Sequence, residues 1–370
     1  MQTRLTSLLQ DQWPLLLSAL PPDLNLDATA RQFGAFTRRR GVPSAEALLR
    51  LALGYGPCGL SLRSTAHWAG LGAVADVADT SVLERLCKSG PWLAEIVRRL
   101  LSARTQGVEA IKPGRTIRLV DGSCLSIPGS TGTDWRLHAV YDLGRGGFSH
   151  VEVTDKLGGE SLCRGAAIAG EIRVADRGYA KAPDLRAFLD GNRQADYIIR
   201  IGWKALRLLN GQGELFDLIG ALRTTEVTGC AEHRLLVAGD VGRDHAPLPV
   251  RLIIIAKSPE AAQRARKVAQ RRTSKTGCKL DERSLIAADY LMLITSLDEA
   301  EFTVAEIADI YRLRWQIELA FKRLKSILQI DHLRARSPDL VMTAIQAHLI
   351  AALIIDDLTQ EVLDSPPCTL

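Results

Sequence analysis

The chain has 370 residues, 46% of them hydrophobic, and a formal net charge of +5. That length and apolar content exclude a disordered chain and leave room for two or three packed domains. The mildly basic balance permits an anionic partner without requiring one. Seven cysteines, an odd number without a CxxC pair, argue against a disulfide framework and structural zinc, so a reduced, cytoplasmic compartment is expected. No apolar run approaches membrane-spanning length and no charged leader precedes an apolar stretch, so no membrane partner is expected.

Residues 1–108 read as helical. Asp27 precedes an amphipathic segment that ends near Arg38, Arg39 and Arg40, where Gly41 and Pro43 break it. Ser44 caps the next helix, with Glu46 in its first turn. A short helix over 60–72 and two more over 80–90 and 91–101 follow. Short helix, glycine turn, short helix suits a helix-turn-helix DNA reader or a plain helical bundle; on sequence both stand. Arg63, His67, Arg85 and Lys88 are the polar positions that would face DNA.

The character changes with residues 109–201. A strand over 116–127 carries Asp121 among β-formers, where aspartate is disfavoured and needs a reason: a strand-end carboxylate or a projecting ligand. Two further strands, 137–143 and 148–155, complete a meander, and a helix is expected around 161–170. The segment 171–191 then reads strand, Asp176, Gly178 turn, helix from Pro183. An aspartate at a strand's C-terminal end before a glycine turn is a frequent ligand position in open α/β sheets. One more strand, 196–203, ends this part. The order is that of a ribonuclease-H-like domain, in which the first and fourth strands are neighbours.

Residues 202–300 read as a β-rich insertion, with short strands at 215–220, 224–229, 233–239 and 249–257. A helix capped by Ser258, with Pro259 at its first position, leads into a basic stretch. From Arg264 to Lys279 there are seven basic residues and no acid, Arg271 and Arg272 among them, which suits contact with phosphates. A strand over 290–296 follows. Residues 301–335 carry the helix that organises the chain, and 336–370 a last apolar helix and tail.

Residues 311–326 are helix-forming throughout, without Gly or Pro. At about 100° per residue, Tyr311, Arg314, Glu318 and Lys325 fall on one stripe beside an apolar face of Ile310, Ile317, Phe321 and Leu324. A carboxylate there is either bonded to Arg314 and Lys322 at i±4 or a ligand at the rim of a core. Two aspartates and a glutamate are three hard oxygen donors of the kind Mg²⁺ and Mn²⁺ prefer. Ser123 and Cys124 are then bystanders, and the histidines show no zinc spacing.

The spacing Tyr311, two residues, Arg314, three residues, Glu318, six residues, Lys325 resembles the YREK signature of bacterial insertion-sequence transposases. Residues 120–123, 132–138 and 175–179 extend the resemblance to insertion-sequence family four, over about 115–335. It implies an α/β, ribonuclease-H-like catalytic core with a β-rich insertion. Asp121, Asp176 and Glu318 would be catalytic and would hold two Mg²⁺ or Mn²⁺ ions. Tyr311, Arg314, Lys325, Arg177 and Arg200 would touch double-stranded DNA; relatives stack a flipped base on a Trp that the strand over 290–296 lacks, and Tyr290, its nearest aromatic, is either the stacking platform or a core tyrosine. The family implies cut-and-paste transposition at inverted ends by a homodimer on DNA. A related metal nuclease, or a silent DNA-binding regulator, is the alternative.

Overall fold

The computed structural model describes residues 9–102, 112–191, 194–239, 246–276 and 281–364. Five helices open the chain: α1 (Trp13–Ser18), α2 (Leu26–Gln32), α3 (Ala45–Tyr55), α4 (Leu62–Leu71) and α5 (Asp79–Ser102). Ser44 and Ser61 cap α3 and α4, each accepting a backbone N–H from three residues on. The two helices expected over 80–101 are one. Pro91 sits inside α5, and the apolar residues on either side of it continue a single buried stripe.

The sheet has nine strands: β1 (Thr116–Leu125), β2 (Trp135–Asp142), β3 (Gly147–Asp155), β4 (Glu171–Ala175), β5 (Asp196–Arg200), β6 (Leu208–Leu209), β7 (Cys230–Val237), β8 (Leu248–Ala256) and β9 (Tyr290–Thr295). Their spatial order is β3-β2-β1-β4-β5-β9-β8-β7-β6. β1, β2 and β3 form the expected antiparallel meander. β4 and β5 run parallel to β1, linked by α6 (Ala182–Gly191). β9 joins β5 antiparallel, so the strands of 202–300 extend this sheet rather than form one of their own.

Helices cover both faces, which is why the central strands are apolar on both sides. One face, with Ile117, Leu119, Ile172 and Val174, packs on the N-terminal helices, α10 (Val304–Arg312), α11 (Trp315–Ser326) and α12 (Pro338–Asp364). The other, with Val120, Ala175, Tyr197 and Ile199, packs on α6, α7 (Leu218–Thr228) and α9 (Glu282–Ala288). α12 lies along α5 and α3, so the N-terminal helices and the C-terminal helix share a core.

Two expected strands, 215–220 and 224–229, are instead α7. Asp217 caps it, Gly229 ends it at φ +73°, and Leu218, Leu222 and Thr225 form its buried stripe. The helix expected around 161–170 is a run of turns. The buried guanidinium of Arg173 holds those turns by donating to the carbonyls of Leu162, Arg164 and Gly165. Residues 338–359 are long and apolar enough to cross a membrane, contrary to the sequence reading, but 72% of the most apolar window is buried inside the fold, as in a core helix.

Beneath the sheet's centre lies a buried ion network. Arg118 pairs with Asp142 and Glu171 at 3.3 Å, and Arg173 with Glu171 at 2.6 Å. It ties the starts of β1 and β4 to the end of β2, at the opposite end of the parallel strands from the residues described next.

Candidate active site

Asp121 stands mid-strand in the sequence but at a strand end in space. β4 stops at Ala175, opposite Val120, and from residue 121 onward β1 pairs with β2 alone. That placement explains an aspartate among β-formers. Asp176 follows Ala175 directly, so the two aspartates lie side by side. Strand alternation puts Asp121 on the face of Ile117 and Leu119, the face on which α11 packs. Each aspartate is oriented by its own turn: Gly122 N–H donates to Asp121 Oδ1 at 2.8 Å, and Gly178 N–H to Asp176 Oδ1 at 2.7 Å. Burial pushes the Asp121 carboxyl up to about 6; the Gly122 bond and Arg314 oppose this, and the charges of Asp176 and Glu318 add to it.

The signature segment is not one continuous helix. α10 ends at Arg312 and α11 begins at Trp315, joined by tight turns in which Leu313 and Arg314 N–H groups donate three residues back. The break brings Arg314 beside Asp121. Its Nη1 lies 3.9 Å from Asp121 Oδ2, while Nη2 donates to Glu318 Oε1. Both sequence readings of Glu318 thus have a physical basis: it is paired with Arg314 at i−4, and it shares a cleft with Asp121. Its side chain is 53% exposed. Among the described residues no three Asp, Glu, His or Cys side chains converge closely enough to hold one ion as they stand.

Asp121, Glu318, Lys322, Lys325, Asp331 and His332 line an open cleft of about 580 Å³. Lys325 Nζ lies 3.4 Å from the Cys124 carbonyl, which holds the ammonium at the cleft wall. Tyr311 is buried, its hydroxyl without a hydrogen bond of acceptable geometry; burial raises its pKa, against the charges of Arg314 and Arg200.

A second cavity, of about 390 Å³, opens beyond Asp176. Arg177, Arg200, Lys257, Trp203 and Tyr290 are among its walls. Lys257 donates to the Ala288 carbonyl at 2.5 Å. Burial lowers its pKa to about 8, and Arg200 and Arg177 add to the effect. Tyr290 is only 5% exposed, so it forms cavity wall rather than an open platform. α8 (Pro259–Thr276) borders the same cavity through Ala265 and Val268. On it, Arg271 is exposed, Arg266 pairs with Asp289, and the Arg272 side chain and Lys279 lie outside the described residues.

Sequence reasoning missed Lys257 and Trp203. Both follow apolar strands, β8 and β5, and only the pairing of those strands through β9 brings them together. Of the four positions read as DNA-facing in the N-terminal helices, Arg85 donates to the carbonyls of Arg38 and Arg40 and so closes the loop before α3. Arg63 stands 3.9 Å from Asp79.

An acidic centre in a basic surround, on the ends of parallel strands, is the class of site that handles nucleic-acid phosphates. Residues 112–354 match the family described as Transposase DDE domain, and the chain belongs to that family. The Escherichia coli transposase for insertion sequence element IS421 is 41% identical over 361 residues, 96% of each chain. InsL of element IS186A, from E. coli strain K12, is 41% identical over 360 residues, again 96% of each. A piggyBac transposase synaptic complex with hairpin DNA aligns with a TM-score of 0.41 and 10% identity, over 96% of this chain and 80% of that one. The transposase assignment drawn from the Tyr311–Lys325 spacing is therefore shown.

Proposed function

We propose that this transposase binds the inverted ends of its insertion sequence and cuts and joins them by metal-dependent phosphodiester chemistry at Asp121, Asp176 and Glu318. The observation that carries this is the parallel pairing of β1 and β4, which ends at Val120 and Ala175 and leaves the two aspartates adjacent. The strand order β3-β2-β1-β4-β5, with only β2 antiparallel to its neighbours there, supports a ribonuclease-H-like core.

Membership of a DDE transposase family implies divalent-metal use in general. The donor set fits: three hard carboxylates, one of them with its proton affinity raised by its carboxylate neighbours as well as by burial. Two Mg²⁺ or Mn²⁺ ions held there would polarise the attacking and leaving oxygens of an in-line displacement. Glu318 joins the set by turning away from Arg314. Being half exposed, it does so at the cost of one surface ion pair. Arg314, released from Glu318, stays beside Asp121 and is free to meet a phosphate. Lys325 offers its point charge across the cleft. Arg177, Arg200 and Lys257 continue a basic track away from Asp176, and Arg271 extends it along α8. Double-stranded DNA is the partner this track fits, with a homodimer bridging two ends. Tyr290 forms part of the second cavity's wall, and Tyr311 is buried next to Arg314.

The test is cleavage and strand transfer on a DNA fragment carrying the element's own end. Cleavage should require Mg²⁺ or Mn²⁺ and be lost in Asp176→Asn with end binding retained. Joining of a pre-cut end to target DNA would separate a transposase from a nuclease of the same site. Full cleavage in chelator, or normal turnover by Asp176→Asn, would overturn the mechanism.

A further inference from the structure

The turns between β3 and β4 hold an acidic side chain against the aspartates. Glu160 lies in this run, and its backbone is clamped on both sides. Arg164 donates twice to the Gly159 carbonyl, at 2.8 and 2.9 Å, while also pairing with Glu152 at 2.6 Å. Lys181 donates to the Glu160 carbonyl. Buried Arg173 holds the next turn from beneath. A loop without helical hydrogen bonds is thus fixed by cations, and what it fixes is one carboxylate.

That carboxylate reaches the site through two glycines. A Cβ at residue 178 would stand 1.9 Å from Glu160 Oε2 and 3.3 Å from Asp176 Oδ1, so both oxygens lie within 3.3 Å of one point. A Cβ at residue 122, next to Asp121, would stand 3.8 Å from Glu160 Oε1. Gly178 has no positive φ; it is bare because Glu160 occupies the space a side chain would take. Glu160 therefore passes between the turns that orient Asp121 and Asp176. A second observation points the same way. The Tyr179 side chain is fully buried and its hydroxyl has no hydrogen-bond partner. Burial, then the charges of Asp121, Glu160 and Asp176, raise its pKa, so this idle donor lies in the field of the same three carboxylates. Bringing like charges together around an unsatisfied polar group is unfavourable unless a cation joins them.

We propose that Glu160 is a fourth acidic residue of the catalytic centre, sharing with Asp176 the grip on a divalent cation. This rests on the metal-dependent reading of Asp121 and Asp176 above. In this arrangement Glu160 stands beside Asp176 already, whereas Glu318 must first leave Arg314. Glu160 would hold the cation before DNA arrives, and Glu318 would complete the set afterwards.

The experiment is Mn²⁺ titration by calorimetry on the full chain without DNA, with melting of the metal-free protein alongside. Glu160→Gln keeps the side chain's shape and should weaken Mn²⁺ at least about tenfold, with metal-free melting unchanged or raised. Gly178→Ala should weaken it similarly, because its Cβ displaces the carboxylate. Asp176→Asn is the control for the underlying reading. If Asp176→Asn weakens Mn²⁺ and neither Glu160→Gln nor Gly178→Ala does, Glu160 leaves the site and the aspartates stay. If wild type fails to bind Mn²⁺, or Asp176→Asn binds it normally, the metal reading fails and this proposal with it. A Glu160→Gln variant that melts lower but binds Mn²⁺ as wild type does makes Glu160 a loop strut, which also overturns the proposal.

Discussion

Replacing Asp121 with asparagine should stabilise the metal-free protein while abolishing its chemistry. Asparagine keeps the Oδ1 that accepts the Gly122 N–H, so the turn geometry is retained. What it removes is an ionised carboxylate in a place that resists ionisation. The ordinary value of 3.8 rises to about 6 in the fold, mainly through burial, with the Asp176 and Glu318 charges adding to it. A raised folded-state pKa means the folded protein holds the proton more tightly than the unfolded chain does. The cost is therefore absent below about pH 3.8 and fully present above about pH 6. Two pKa units correspond to about 3 kcal/mol. The side chain is 20% exposed, so solvent screening reduces this to about 1–2 kcal/mol. In a protein of this size that is a rise in Tm of a few degrees at pH 8, about half of it left at pH 5. The assay is thermal melting in chelator at pH 5 and pH 8, repeated with Mg²⁺. Wild type should gain Tm with the cation and Asp121→Asn should gain little. An asparagine variant that melts below wild type at pH 8, or differs by the same amount at both pH values, would refute the account of Asp121 as a crowded, buried carboxylate.

Three further outcomes follow from the same geometry. Glu318→Gln loses one exposed i,i+4 pair with Arg314 and should cost about 0.5 kcal/mol of stability, yet cleavage of an end fragment should fall by orders of magnitude; normal cleavage would return Glu318 to the surface. Arg173→Met leaves the buried Glu171 carboxylate with Arg118 as its one guanidinium partner and frees the turns over 162–165, and should cost about 3–5 kcal/mol in denaturant unfolding; a loss under 1 kcal/mol would mean the network relaxes around its gap. Neutralising Arg271 and Arg272 should weaken end and random DNA alike and flatten the salt dependence of binding by about one per lost phosphate contact; an unchanged slope would leave this part of α8 as solvated surface.

How much of this was legible in the residues depends on which forces were local. Asp121 could be read because a carboxylate among β-formers is locally unfavourable and so marks itself, and Asp176 because it ends a strand just before the Gly178 turn. Their adjacency needed only the strand order, which the meander and the single crossover helix dictate. α7 was misread because Thr224, Thr225 and Val227 favour strands, yet its ends were written plainly: Asp217 at one and Gly229 at the other, with Leu218 and Leu222 at helical spacing between. There the caps and the buried stripe outweighed β-propensity. The break at Leu313–Arg314 left no such mark. No Gly or Pro announces it, and every residue there is a competent helix former. The turn is held by the packing of Ile310, Tyr311 and Ile317 on the sheet face and by Arg314 between Asp121 and Glu318.

The parts that stayed hidden are those in which charge acts across the chain. Glu160 carries no local oddity: a glutamate in a polar, glycine-bearing loop is ordinary. Its meaning comes from Arg164, Lys181 and Arg173, which fix a loop where a helix was expected, and from the bare Cα of Gly178, across which it meets Asp176. Lys257 is likewise unmarked until β8 is seen to end beside β5 through β9. In both cases the sequence holds the charged residue, but sheet register chooses its neighbours. The spacing of Tyr311, Arg314, Glu318 and Lys325 is informative for the opposite reason: all four lie within one local segment, and even a helix break in its middle leaves Arg314 and Glu318 in contact and Lys325 on the same cleft as Glu318. A motif confined to one segment survives an error in that segment's geometry, whereas a site assembled from β1, the β3–β4 loop, β4 and α11 becomes visible only once the sheet is built.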